Sequence, residues 1–185
     1  MKAALLAATA AAFLAVAVAT AAPAHASPAP WSSYLAPPAA CPGSEATRAP
    51  AALQARAMRC LVDWTRRLAG KRRLRWSAML AAAAGSKADV IASCGDFSHY
   101  PCGTRWPALA TRRGRFHVFG ENLYWGSRGA SSPRAAMLAW LQSPSHRGVL
   151  FASGWSDLGV TVHRVAAFGG APAVSIWVLE VAGRG

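Results

Sequence analysis

Trp140-Leu141-Gln142-Ser143-Pro144-Ser145-His146-Arg147 is the stretch on which the reading of this chain turns. Ser143-Pro144 ends one apolar helix. Ser145 can cap another, which puts His146 in its first turn. Two shorter segments precede it, Phe97-Ser98-His99 and Gly120-Glu121-Asn122. Together the three supply two histidines and a carboxylate, in a chain with only seven acidic residues. Imidazole and carboxylate are the groups that bind divalent metals or move protons. If the fold gathers these segments, His99, Glu121 and His146 form the polar constellation that can hold a function.

Working outward, Ser132-Pro133 reads as an N-cap followed by proline at the first helical position. The helix after it buries Met137, Trp140 and Leu141. Residues 51–68 read as a helix, with Leu53, Ala57, Leu61, Trp64 and Leu68 at helical spacing and Gly70 as the C-cap. Ser77 can cap a second helix through Cys94, whose core side is Leu80, Ala84 and Ile91. Its end delivers Phe97-Ser98-His99. Residues 101–119 read as a loop with a short helix at 106–111, and residues 120–125 as a brief extended or turn segment. Residues 157–163 and 174–181 alternate apolar and other side chains about Gly169-Gly170, which predicts two antiparallel strands. Helices first and a strand pair last predict an α+β layer fold.

The N-terminus reads as an export signal. Lys2 precedes the apolar run 3–18, and Ala24-His25-Ala26 is a small-x-small cleavage site. Residues 1–26 are then the signal peptide, 27–50 a Pro/Ala-rich arm and 51–185 the domain. No later stretch is long and apolar enough to span a membrane. The four cysteines, 41, 60, 94 and 102, are even in number, and in an exported chain that means two disulfides. Three pairings are possible. Cys94 and Cys102 flank the tight loop holding His99 and are paired here, which leaves Cys41 with Cys60. No CxxC pair supports a zinc site built on cysteine.

The formal net charge is +13. It is carried mostly by arginine, and the densest run, residues 66–75, follows a helix C-terminus, where cations complement the dipole. Nucleic acid is therefore not the expected partner. An exported basic protein can instead adhere to anionic cell-envelope polymers or lipid headgroups.

Read together, the motifs resemble the CAP superfamily (cysteine-rich secretory proteins, antigen 5 and pathogenesis-related 1 proteins), in its bacterial SCP-like branch. The resemblance rests on Cys60-Leu61-Val62-Asp63-Trp64-Thr65-Arg66, Leu74-Arg75-Trp76, Asp96-Phe97-Ser98-His99 and Gly120-Glu121-Asn122-Leu123. Trp140 with Ser143-Pro144-Ser145-His146-Arg147, and Leu158-Gly159-Val160, complete it. It implies a three-layer α-β-α sandwich with a small central antiparallel sheet. It also implies that His99, Glu121 and His146 line one cleft. Eukaryotic members carry a second Glu three residues after the helix Trp, where this chain has Ser143.

Two imidazoles and a carboxylate are the ligand set of an open site for zinc or another divalent metal. The same residues can also form a hydrogen-bonded network, because a buried carboxylate needs partners. A serine hydrolase is disfavoured: Ser98 and Ser145 adjoin the histidines in sequence, and no Gly-x-Ser-x-Gly elbow is present. Trp106, Phe116, Phe119, Tyr124 and Trp125 surround Gly-Glu-Asn and could line an apolar cleft for a lipid or other small ligand. His117 can reach that cleft, Arg147 is expected in a helix contact, and Asp63 and Arg66 are expected to pair with each other or with loops. The expected function is binding of a small ligand, lipid or wall component at His99, Glu121 and His146, with no catalytic residue assigned. A metal-dependent hydrolase using the same residues is the alternative.

Overall fold

The computed structural model of the chain describes residues 30–104 and 116–184. The helix expected at 106–111 lies outside them. α1 (Ala51–Leu68) and α2 (Ala78–Cys94) occupy the spans read from sequence. Gly70 takes φ +67° beyond α1, and Gly95 takes φ +69° as the left-handed cap of α2. Ser77 accepts a hydrogen bond from the Leu80 amide, and Ser132 accepts one from Ala135 at the start of α3 (Pro133–Gln142). α4 (Pro144–Phe151) follows at once. Its N-cap is Ser143, with Pro144 at the first position, so Ser145 lies inside the helix rather than capping it.

The buried face of α1 differs from the apolar one expected. Leu53 and Leu68 are exposed, whereas Gln54, Thr65 and Arg66 are buried beside Ala57, Met58, Leu61 and Val62. Each buried polar group is satisfied by the chain that crosses it. Thr65 donates to the Tyr34 carbonyl at 3.1 Å. The Arg66 guanidinium donates to the carbonyls of Arg72, Leu150 and Ala152 at 2.9, 2.6 and 3.1 Å. Arg66 therefore ties loops together, and Asp63 pairs with the loop residue Arg73 at 2.8 Å.

The sheet has four strands in the order β1-β3-β4-β2. β3 (Asp157–Phe168) and β4 (Ala171–Gly183) form the expected hairpin; β3 runs on past its alternating segment toward the turn, and β4 is longer than its segment at both ends. The segment after the loop is no brief turn. It is β2 (Val118–Ser127), paired with β4 along its full length. The two-residue β1 (Arg75–Trp76) runs parallel to β3 at the other edge. Both faces of β4 are buried, which is why Val174 to Val181 contains few polar residues despite its alternation.

One face packs Leu158, Val160, Val162, Trp177, Leu179 and Val181 against α1, α3 and α4. The other packs Leu123, Val174, Ile176 and Val178 against Ala84, Ala88 and Ile91 of α2. This is the three-layer α-β-α sandwich. Residues 30–50 lie along the domain: Ala36 and Cys41 are fully buried in the larger core. Disulfides join Cys41 to Cys60 and Cys94 to Cys102. The first fastens the arm to α1, and the second closes the loop that carries His99.

Candidate functional site

Glu121 is the centre of the site. It lies on β2 with a side chain only 2% exposed. A carboxylate so far from water needs compensating partners, and two come from the α2 layer. The His99 ring nitrogen Nδ1 lies 2.5 Å from Glu121 Oε1, and the Lys87 ammonium lies 3.5 Å from Glu121 Oε2. Lys87 also donates to the His99 carbonyl. The one lysine thus grips the backbone of His99 and the carboxylate that orients its ring.

Local chemistry holds His99 in place. Gly95 ends α2, the Cys94–Cys102 disulfide closes the loop, and Asp96 accepts the Cys102 amide at 3.0 Å. A carboxylate on Nδ1 fixes the tautomer with hydrogen there and leaves Nε2 as an acceptor. The His99 side chain is 53% exposed. The pair therefore amounts to a buried carboxylate presenting an oriented imidazole, an arrangement able to accept a proton or a hydrogen bond from a ligand.

His146 approaches from the opposite layer. Successive strand residues face opposite sides of a sheet. Glu121 accordingly meets α2, while its neighbour Asn122 donates to the His146 carbonyl of α4 at 3.1 Å. Burial is the main cause that holds the His146 imidazole below its usual pKa. Its Nδ1 is buried with no hydrogen-bond partner among the described residues, as is Glu121 Oε2. The structure therefore joins His99 directly to Glu121, while His146 is tied through its carbonyl to Asn122 on the other face of the strand.

These residues do not fit a metal. Among the described residues no three His, Cys, Asp or Glu side chains converge to hold an ion. The Lys87 ammonium already places a fixed positive charge beside Glu121. The serines are engaged elsewhere: Ser98 accepts the Tyr100 amide, and Ser143 and Ser145 share a hydrogen bond of 3.0 Å. Arg147 makes the expected helix contact, donating to the Leu141 carbonyl, and also covers the ring of Trp31 at 4.2 Å. His163 pairs with Asp89 at 2.8 Å, away from this site.

Two residues here escaped the sequence reading. Lys87 sits in the apolar stripe of α2 among Ala83, Ala84, Ala88 and Ile91. A charge in a buried stripe is itself the signal that an opposite charge faces it. Glu180 is 1% exposed and stands directly across the ladder from Glu121. Only strand register reveals that pairing.

Residues 60–180 match the family model described as the cysteine-rich secretory protein family, CAP. Among solved structures, the chain is similar to an extracellular SCP-domain protein from Bacillus anthracis, with 20% identity and a TM-score of 0.58. That alignment covers 72% of this chain and 41% of the other. An outer surface protein from Borrelia burgdorferi shares 20% identity at a TM-score of 0.56, over 69% of this chain and 90% of its own. A cysteine-rich secretory protein from Staphylococcus aureus shares 18% identity at a TM-score of 0.55, over 72% and 40%. The chain thus spans about two fifths of the Bacillus and Staphylococcus proteins. Likeness at these identities shows a shared fold. No curated protein sequence matches the chain.

Proposed function

The chain belongs to the cysteine-rich secretory protein (CAP) family, and from that premise we propose that it is exported and binds a small ligand, lipid or wall component at His99, Glu121 and His146. The structural neighbours are an extracellular, an outer-surface and a secretory protein, which supports export. The leader at 1–26 supports it from the sequence side.

One observation carries the binding reading. The His99 imidazole stands half-exposed while the buried Glu121 carboxylate holds its Nδ1, so an oriented polar group is presented at the surface for a ligand to meet. A ligand that hydrogen-bonds to this oriented ring gains about 0.5–1.5 kcal/mol from a neutral contact and more from a charged one. A metal-dependent hydrolase is the weaker alternative, because Lys87 stands beside the carboxylate that would ligate the ion.

Native mass spectrometry of the purified exported protein tests the reading, with a long-chain fatty acid, a sterol and a soluble muropeptide as probes. One probe should be retained by the wild type and released by His99→Ala. If none is retained, the reading falls.

A further inference from the structure

We propose that the β1 edge of the sheet is a docking groove for an extended anionic polymer of the cell envelope. This surface is separate from the His99–Glu121 site. Two concavities, of about 710 and 590 Å³, meet there and share Arg75 and Arg184. The first is also lined by Trp76, the second by Arg72 and Arg73. Hollows in series, lined by repeated cations, suit a chain of regularly spaced anions better than one compact ligand.

The cations are held in place rather than merely crowded. Asp157 is 5% exposed. It accepts from Arg75 at 3.0 Å and lies 3.6 Å from Arg184 Nε. Asp63 fixes Arg73 at 2.8 Å. The side chains of Arg73, Arg75 and Arg184 nevertheless remain 73%, 62% and 48% exposed. A guanidinium has five N–H donors, so those not used on Asp157 or Asp63 stay free for phosphate or carboxylate oxygens. Among the described residues, four arginines set against Asp63 and Asp157 leave two unbalanced positive charges along the groove.

Trp76 adds what charge alone does not. It is 39% exposed in a strand of two residues. It also borders a third hollow, of about 460 Å³. A flat apolar ring flanked by guanidinium groups offers a stacking face to the sugar or polyol unit between two anions. The export leader and the extracellular neighbours favour an envelope polymer over nucleic acid.

The test measures binding of labelled poly(glycerol phosphate) to the purified exported protein by fluorescence anisotropy across a salt series. Affinity should fall steeply with salt, and the double substitution Arg72→Ala/Arg184→Ala should weaken it by about tenfold or more and flatten the salt slope. The matched control Arg48→Ala/Arg128→Ala removes the same charge from a different concavity. It should stay within about twofold of wild type. Trp76→Ala, which changes no charge, should also weaken binding. Circular dichroism melts verify folding, and if the groove pair fails to fold, the exposed Arg72→Ala alone takes its place. Equal losses in groove and control variants would show diffuse attraction to net charge and overturn the proposal. So would absence of binding, or tighter binding of DNA of equal charge.

Discussion

Replacing Gly159 by alanine should separate the α2 layer from the sheet. A Cβ there would lie 2.0 Å from the Ala81 nitrogen, 2.3 Å from the Leu80 carbonyl carbon and 2.7 Å from Ala81 Cα. Non-bonded carbon contacts are optimal near 3.5–4.0 Å, so the helix must retreat by about 1.5 Å. All three obstacles are backbone atoms, and no side chain can rotate aside. Overpacking of this kind costs about 1–3 kcal/mol, and a backbone clash belongs at the upper end. For a domain of this size about 3 kcal/mol lowers Tm by about 6–12 °C.

The measurement is thermal unfolding by circular dichroism, with urea unfolding at 25 °C as a second reading. Gly85→Ala is the internal control. It lies in the same helix with nothing within 4 Å of the added methyl. It should stabilise by about 0.5–1 kcal/mol through helix propensity alone. A Gly159→Ala protein that melts within about 2 °C of wild type would refute the close packing of α2 on β3.

Other outcomes follow from the site and its supports. Lys87→Met leaves the Glu121 carboxylate buried beside one imidazole and should destabilise by about 3–5 kcal/mol in urea unfolding, with most of the loss recovered in Lys87→Met/Glu121→Gln. Burial pushes the Asp157 pKa up, but the hydrogen bonds from Ser156 and Arg75 and the charges of Arg75 and Arg184 prevail and hold it below its usual 3.8. Its contribution is therefore complete above the unfolded value of about 3.9 and is lost as pH falls from there through the folded value, so Asp157→Asn should flatten the stability curve between about pH 5 and 2. Removing the Cys94–Cys102 bridge by paired alanines should cost about 2.5 kcal/mol for so short a loop and release any probe that depends on His99. Added zinc should leave the melting temperature of the wild type unchanged, and a rise that Glu121→Gln abolishes would return the cluster to metal binding.

Helix spans, caps and disulfide pairing were legible because they are local. Ser77, Ser132 and Gly70 act within one turn of their own positions, and Cys102 follows Cys94 by eight positions. The buried face of α1 was not legible, since Gln54, Thr65 and Arg66 are satisfied by carbonyls and side chains remote in sequence. β2 was underestimated for a similar reason: Gly120, Glu121 and Asn122 read as turn residues, and only a ten-residue ladder to β4 makes them strand. At the site, His99 and Glu121 were found by residue type. Lys87 needed the knowledge that α2 turns that face inward, and Glu180 needed the register.

The adjacency of Glu121 and Asn122 has a consequence for how the molecule opens. Two consecutive residues of an edge strand secure both helical layers, Glu121 through Lys87 and His99 and Asn122 through the His146 carbonyl. Peeling β2 from β4 would release both attachments in one step. Local unfolding should therefore treat β2, the His99 loop and the start of α4 as a single cooperative unit, with amide exchange rates that rise and fall together. A ligand bound at any one of these elements would slow exchange in the other two.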